Sequence, residues 1–355
     1  MTEIPDQKTV NAAAFSGEGR SMATGSGSAG GRIFGPPGAH SSGQLVPTLG
    51  VMLPVFGTID GSISPSSIAE AAVYGERHDI DGLWLGDHLV HPLPLLESIV
   101  TLEHVASVTT RVRVGTSVML LALRNPLAAA KQLATIAAYH PGRLTLGVGV
   151  GGEHPAEFRA SGVPLDQRAA RLEQSVLLLR ELWSGEPVTS DGPLQGVRIA
   201  PIPPRIPLLF GGHTPPALRR AARLGDAWVG FYKDVDGFRA ARDTIVLERK
   251  RLGLEDIDFP LGRVLPTLIT ERDTGADDRA AEFMRGASTK NFQASPAQYV
   301  LAGTPERVVT RLAEYHAAGC GHFILAILDQ GPAYLEQLAA VCEQVLPAVR
   351  SWVSG

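Results

Sequence analysis

Two adjacent ionisable residues, Asp87 and His88, end the segment Asp81-Gly-Leu-Trp-Leu-Gly-Asp-His88. Imidazole titrates near neutrality, so a histidine held at one point can give and take a proton during a reaction. The carboxylate beside it can tune that imidazole or hold a polar group of a ligand. The plain alternative is a charged loop pair that caps the next element. Leu83 to Leu85 reads as a short buried strand that breaks at Gly86. In a barrel of alternating strands and helices, strand carboxyl ends carry the chemistry.

Three more segments have chemistry-compatible patterns. Gly115-Thr-Ser117-Val118-Met119 puts a glycine and small hydroxyls at a strand end, which lets a flat ligand approach the backbone; a tapered barrel interior would use the same residues. Gly147-Val-Gly149-Val-Gly151-Gly152-Glu153 has dinucleotide-like glycine spacing. It is not a Rossmann turn, because no helix starts directly after it. Phe210-Gly211-Gly212-His213-Thr214-Pro215-Pro216 joins a strand to a helix, where backbone N–H groups and the helix dipole suit a phosphate. The bland reading there is a tight turn before a proline-started helix, with Thr214 as its cap. His91, His140, His154, His316 and His322 show no metal-type spacing and read as surface or loop residues, so no metal site is expected. Trp183 falls on the apolar face of its helix.

The elements that would position these residues alternate along the chain. Strands are expected over 45–53, 83–85, 112–118, 143–148, 207–210, 227–230, 263–269 and 322–328. Helices are expected over 68–78, 95–109, 125–139, 164–183, 215–224, 235–252, 303–318 and 332–353. Eight strands each followed by a helix predict one α/β domain over 45–355, a (β/α)8 TIM barrel. Two segments exceed the minimum, 184–205 and 270–302, and insertions of this kind shape a substrate mouth. Tyr232, Lys233 and Arg263 are candidates for polar substrate contacts, with scaffold roles equally open. Residues 1–44 are Gly- and Ser-rich without apolar periodicity and read as a disordered extension, the alternative being a segment that folds over a partner or the site.

Composition narrows the function classes. The chain has 355 residues, 44% hydrophobic and 19% charged, with a net charge of −4, which gives no reason to expect nucleic acid or an anionic membrane. No apolar run approaches the ~20 residues of a membrane span, and no secretory signal opens the chain. Cys320 and Cys342 are the two cysteines and form no framework, consistent with a cytoplasmic setting.

The segments DGLWLGDH, VRVGTSVMLLALRNPLAAAKQLATI, GRLTLGVGVG with EFRASG, PPRIPLLFGGHTPPALRRAARLGDAW and GTPERVVTRLAEYHAAGCGHFIL occur in this order. In them the chain resembles the bacterial luciferase-like superfamily of flavin- and deazaflavin-dependent oxidoreductases. The resemblance implies a luciferase-like barrel in which His88 faces the reactive ring of the cofactor, with Asp87 beside it. It implies a non-prolyl cis peptide at Ser117-Val118. It also implies cofactor contacts at Val150 and Gly151, at Gly211, Gly212 and His213, and at Gly230 and Phe231. Light-producing members carry an arginine for the FMN phosphate where this chain has Val150, so the resemblance is nearer to the coenzyme F420 group. The expectation is therefore an F420-dependent oxidoreductase that moves a hydride to or from a small organic substrate, with His88 handling the proton. The alternatives are an FMN-dependent monooxygenase served by a flavin reductase and a catalytically silent flavin-binding relative. Family resemblance suggests a homodimer.

Overall fold

The computed structural model describes residues 33–34, 47–57, 62–231, 233–287 and 298–352. Eight parallel strands close a barrel: β1 (Thr48–Met52), β2 (Gly82–Leu85), β3 (Arg113–Thr116), β4 (Leu144–Val148), β5 (Leu208–Gly211), β6 (Ala227–Gly230), β7 (Leu261–Ile269) and β9 (His322–Ile327). Strands β1 to β7 pair in chain order, and β9 lies between β7 and β1. A ninth strand, β8 (Leu301–Gly303), pairs with the end of β7 outside this ring. It straddles the end of the expected insertion 270–302, which also holds α8 (Ala276–Ala287). The other insertion, 184–205, contains no helix or strand.

The helices are α1 (Pro65–Arg77), α2 (Ser98–Val108), α3 (Pro126–Tyr139), α4 (Pro155–Ala160), α5 (Arg168–Trp183), α6 (Pro215–Leu224), α7 (Val235–Arg251), α9 (Pro305–Ala317), α10 (Tyr334–Ala340) and α11 (Leu346–Ser351). Their starts follow local rules. Asn125 caps α3 by accepting from the Ala128 N–H at 3.1 Å, and Pro126 takes the first turn, where its missing N–H costs nothing. Thr304 accepts from the Arg307 N–H ahead of α9. One helix was not expected, and one expected helix is subdivided. The segment after β4 contains α4 as well as α5. The closing helix is split by a π-helical turn at Val341–Val345, just before Pro347, which cannot donate an intrahelical hydrogen bond.

Trp84 on β2 fills the barrel interior. A Cβ added at Gly50, Gly82 or Gly115 would lie between 2.6 and 2.8 Å from its indole. Gly115 is therefore a packing glycine, not a point of ligand approach. Arg263 is also scaffold: it is fully buried, donates to the Lys233 carbonyl and lies 5.3 Å from the centre of the Tyr315 ring. Lys233 acts there through its backbone, and Tyr232 lies outside the described residues. Both cysteines are buried free thiols, pushed up to about 12 by burial.

The amino-terminal extension needs a correction. Phe34 is buried and stacks on His322 with ring centres 4.1 Å apart, while the Ile33 carbonyl accepts from Thr145 Oγ1 at 2.9 Å. His322 and Thr48, joined at 2.7 Å, begin β9 and β1, so this dipeptide seals the end of the barrel where strands start. His322 is accordingly a buried residue, not a surface one. Enough apolar surface is covered at Phe34 to order it despite its Gly-rich surroundings. The rest of the expected 1–44 extension, apart from these two residues, lies outside the described residues.

Candidate active site

The strand ends of β2, β3, β4, β5 and β6 are consecutive in the sheet, so the residues that follow them line one arc of the barrel mouth. His88 follows β2, Ser117-Val118 follow β3, Val150-Gly151 follow β4, Gly211-Gly212-His213 close β5, and Gly230-Phe231 close β6. Sequence reasoning singled out all of these positions, and the fold brings them to one rim.

His88 is held by a residue without an assigned role in the sequence. Its Nδ1 lies 3.1 Å and 3.3 Å from the two carboxylate oxygens of Glu157, whose side chain has no exposed surface. Glu157 also accepts from the Leu89 N–H at 3.1 Å. A buried carboxylate beside Nδ1 assigns the proton to that nitrogen and leaves Nε2 to exchange protons. Glu157 stands in the first turn of α4. The signal for that helix was Pro155 followed by an acidic residue, a helix-start pattern.

Asp87 stands at the end of β2, directly before His88. It is buried, and both of its oxygens face protein donors: Oδ2 accepts from the Leu120 N–H at 2.8 Å and Oδ1 from Arg124 at 2.6 Å. Arg124 also reaches Glu97 at 2.6 Å and Ser98 at 3.2 Å. Burial works against the Arg124 charge, but Asp87 and Glu97 overcome it and raise its pKa. Asp87 thus ties the β2 loop to the β3 loop and the start of α2. The geometry makes it a brace for the rim, with each oxygen already accepting from the protein.

The Ser117–Val118 peptide bond is cis. Hydrogen bonds bracket it: the Ser117 N–H donates to the Leu85 carbonyl and the Met119 N–H to the Gly147 carbonyl, each at 2.8 Å. Val118 packs where Gly149 and Gly211 leave room; a Cβ at Gly211 would lie 2.9 Å from Val118 Cγ1, and one at Gly149 would overlap Cγ2. Ser117 Oγ is buried without a hydrogen-bond partner among the described residues. A half-buried apolar ledge at Val118 beside an unpaired hydroxyl fits a flat ring with polar edge atoms. Val150 is a half-buried side chain of the same arc, packed against the core and without charge.

The glycine turn after β5 is anchored by Trp228 Nε1, which donates to the Gly212 carbonyl at 2.8 Å. Gly212 has φ +118°, a conformation that favours glycine. His213 is exposed. Pro215 and Pro216 open α6 without N–H groups, so phosphate donors at this turn would come from the backbone around Gly212 to Thr214 and from Ala217. Thr214 occupies the cap position but makes no side-chain cap bond.

His91 and His154 are loop residues, as read, but they are half-buried and stand beside His88. The three rings have centres 4.7 to 5.1 Å apart. His91 is pushed down to about 4, first by burial and then by the neighbouring His88 and His154. His140 and His316 have structural partners instead, Glu103 at 3.1 Å and the Cys320 carbonyl at 3.0 Å. Trp183 packs against the core, as its helix face predicts, and donates to the Ala130 carbonyl at 3.0 Å.

Comparison with known proteins follows the same architecture. Similar chains include an F420-dependent glucose-6-phosphate dehydrogenase of Nakamurella multipartita, 29% identical over 325 residues, covering 81% of this chain and 94% of that one. The namesake enzyme of Mycobacterium avium is 28% identical and covers 74% and 88%. Among solved structures, an F420-dependent secondary alcohol dehydrogenase in complex with an F420-acetone adduct superposes with a TM-score of 0.73 at 19% identity, covering 85% and 99%. A monooxygenase of Streptomyces bottropensis gives the same TM-score at 20% identity, covering 84% and 99%. Such distant structural likenesses establish the barrel only. Among the described residues no helix is long and apolar enough to cross a membrane. The family described as luciferase-like monooxygenase matches residues 48–322, and the chain belongs to that family.

Proposed function

We propose that this protein is a cytoplasmic F420-dependent oxidoreductase that transfers a hydride between the deazaflavin and a small organic substrate. The observation that carries the reading is His88 on the rim, braced through Nδ1 by the buried Glu157. The cofactor assignment is supported by relatives whose names share F420-dependent dehydrogenase activity, and by the uncharged Val150 where FMN-binding luciferases use an arginine.

Residues of this chain fit the cofactor. Val118 and Val150 would support the ring, Ser117 Oγ would meet a polar edge, and the Gly211–His213 turn, with Gly230 and Phe231 near it, would hold the tail. When bound, the deazaflavin supplies a two-electron hydride carrier. His88 takes the hydroxyl proton from an alcohol substrate, or returns one to a carbonyl. Glu157 accepts from Nδ1 and so fixes the ring and its tautomer. Arg124 and Asp87 keep the loops carrying His88 and Val118 in register. This chemistry needs no reductase partner, and a homodimer is the expected assembly.

Glucose 6-phosphate and simple secondary alcohols are the first substrates to test, because relatives and neighbours are named for them. Turnover is followed by loss of the oxidised deazaflavin absorbance. The proposal predicts alcohol-dependent bleaching of F420. Failure with F420 alongside oxygen consumption with reduced FMN would favour the monooxygenase reading.

A further inference from the structure

We propose that His88, His91 and His154 form a binding site for one divalent transition-metal ion of the zinc class at the barrel mouth. Their ligand atoms all lie within 4.8 Å of one another. The residues come from two loops: His88 and His91 follow β2, and His154 caps α4 after β4. A tetrahedral zinc site with bonds of about 2.0–2.1 Å places its nitrogens about 3.4 Å apart, so closure needs about 1 Å of movement by half-buried loop side chains.

Three features favour a metal over simple ring packing. Three imidazoles form a nitrogen-only donor set, which suits Zn2+, Co2+, Ni2+ or Cu2+ and not Mg2+ or Ca2+. Among the described residues three protein ligands come together, leaving a fourth position for water or substrate, as in catalytic zinc sites. Glu157 accepts from His88 Nδ1 and so fixes the ring with Nε2 available, the carboxylate–histidine arrangement that supports bound metals.

The site goes beyond the hydride-transfer reading and does not depend on it. Occupied, it would use the nitrogen that His88 otherwise offers to a proton, so bound zinc would inhibit a reaction in which His88 carries protons.

The test uses the full chain stripped with a chelator and titrated with Co2+, following its visible d–d absorption. The expected result is one Co2+ per chain with the strong bands of low coordination number, displaced by Zn2+. Calorimetry should then find Zn2+ binding weakened about tenfold or more in His91→Ala and in His154→Gln, both checked for an unchanged thermal transition. Absence of Co2+ bands, or Zn2+ affinity unchanged in both variants, would overturn the proposal. F420 titration without metal reports on the cofactor reading separately, so failure of either idea is distinguishable from failure of the other.

Discussion

His88 Nδ1 lies 3.1 Å from Glu157 Oε1, across 69 positions of sequence, and the Glu157 side chain is wholly buried. The buried acid therefore fixes the rim imidazole. Replacing Glu157 with Gln keeps the shape but removes the charge that orients Nδ1–H. We expect kcat to fall about 10²-fold while KM changes little, as for a residue acting through orientation. His88→Ala should remove about 10²–10⁴ of the rate and leave F420 affinity largely intact. Steady-state kinetics and a fluorescence titration on both variants check this. Full turnover by His88→Ala would remove its assigned role.

Asp87 separates structural from chemical duty. Asp87→Ala leaves Arg124 nearly buried with only Glu97 as an acidic partner. A loss of about 3 kcal/mol in unfolding free energy is expected, measured by urea denaturation. A variant as stable as the parent would show that the ion pair does not brace the rim.

The space beside Val118 is narrow. A methyl group at Gly211 would meet Val118 Cγ1 at 2.9 Å. Gly211→Ala should therefore shift the ledge, weaken F420 binding by about tenfold and cost about 1 kcal/mol or more of stability. Equal affinity in parent and variant would place the ring away from Val118.

At the opposite end, Phe34 closes the barrel against His322 and Trp84. Phe34→Ala should cost about 3 kcal/mol of stability without changing KM. Thermal unfolding and kinetics on the same sample separate the two effects.

Glu76 gives the fold an acid-sensitive clamp. Burial alone would raise its pKa, but hydrogen bonds from the Arg111, Val112 and Thr110 N–H groups overcome it, and the pKa is lowered. A depressed folded pKa means that the contribution is complete above the ordinary value of 4.5 and is lost as pH falls through the lower folded value. Glu76→Gln should lose about 1 kcal/mol at neutral pH, after allowance for solvent screening, and should flatten the stability profile below pH 4.5. Denaturation across that range in both proteins measures it.

Much of the architecture was legible because its signals are local. Helix α6 and strand β6 match their expected bounds, since Pro215 starts one and Gly225 ends it before an apolar run. The rim positions were legible through glycine-rich strand ends and family resemblance. What the sequence hid is tertiary. Nothing near Asp87 signals that its charge belongs to Arg124, 37 positions away. The slot at Gly115 belongs to Trp84 on a neighbouring strand, and the three clustered histidines come from two loops far apart in sequence. Strand β8 is three residues long, below the length at which periodicity is readable. Phe34 was hidden by composition, because one buried aromatic does not alter the character of a Gly- and Ser-rich segment.

The central claim is that this rim holds F420, and the most direct measurement is a paired fluorescence titration of the purified chain with F420 and with FMN. The account predicts saturable, one-to-one binding of F420 and much weaker binding of FMN. Tight binding of FMN with no response to F420 would contradict it.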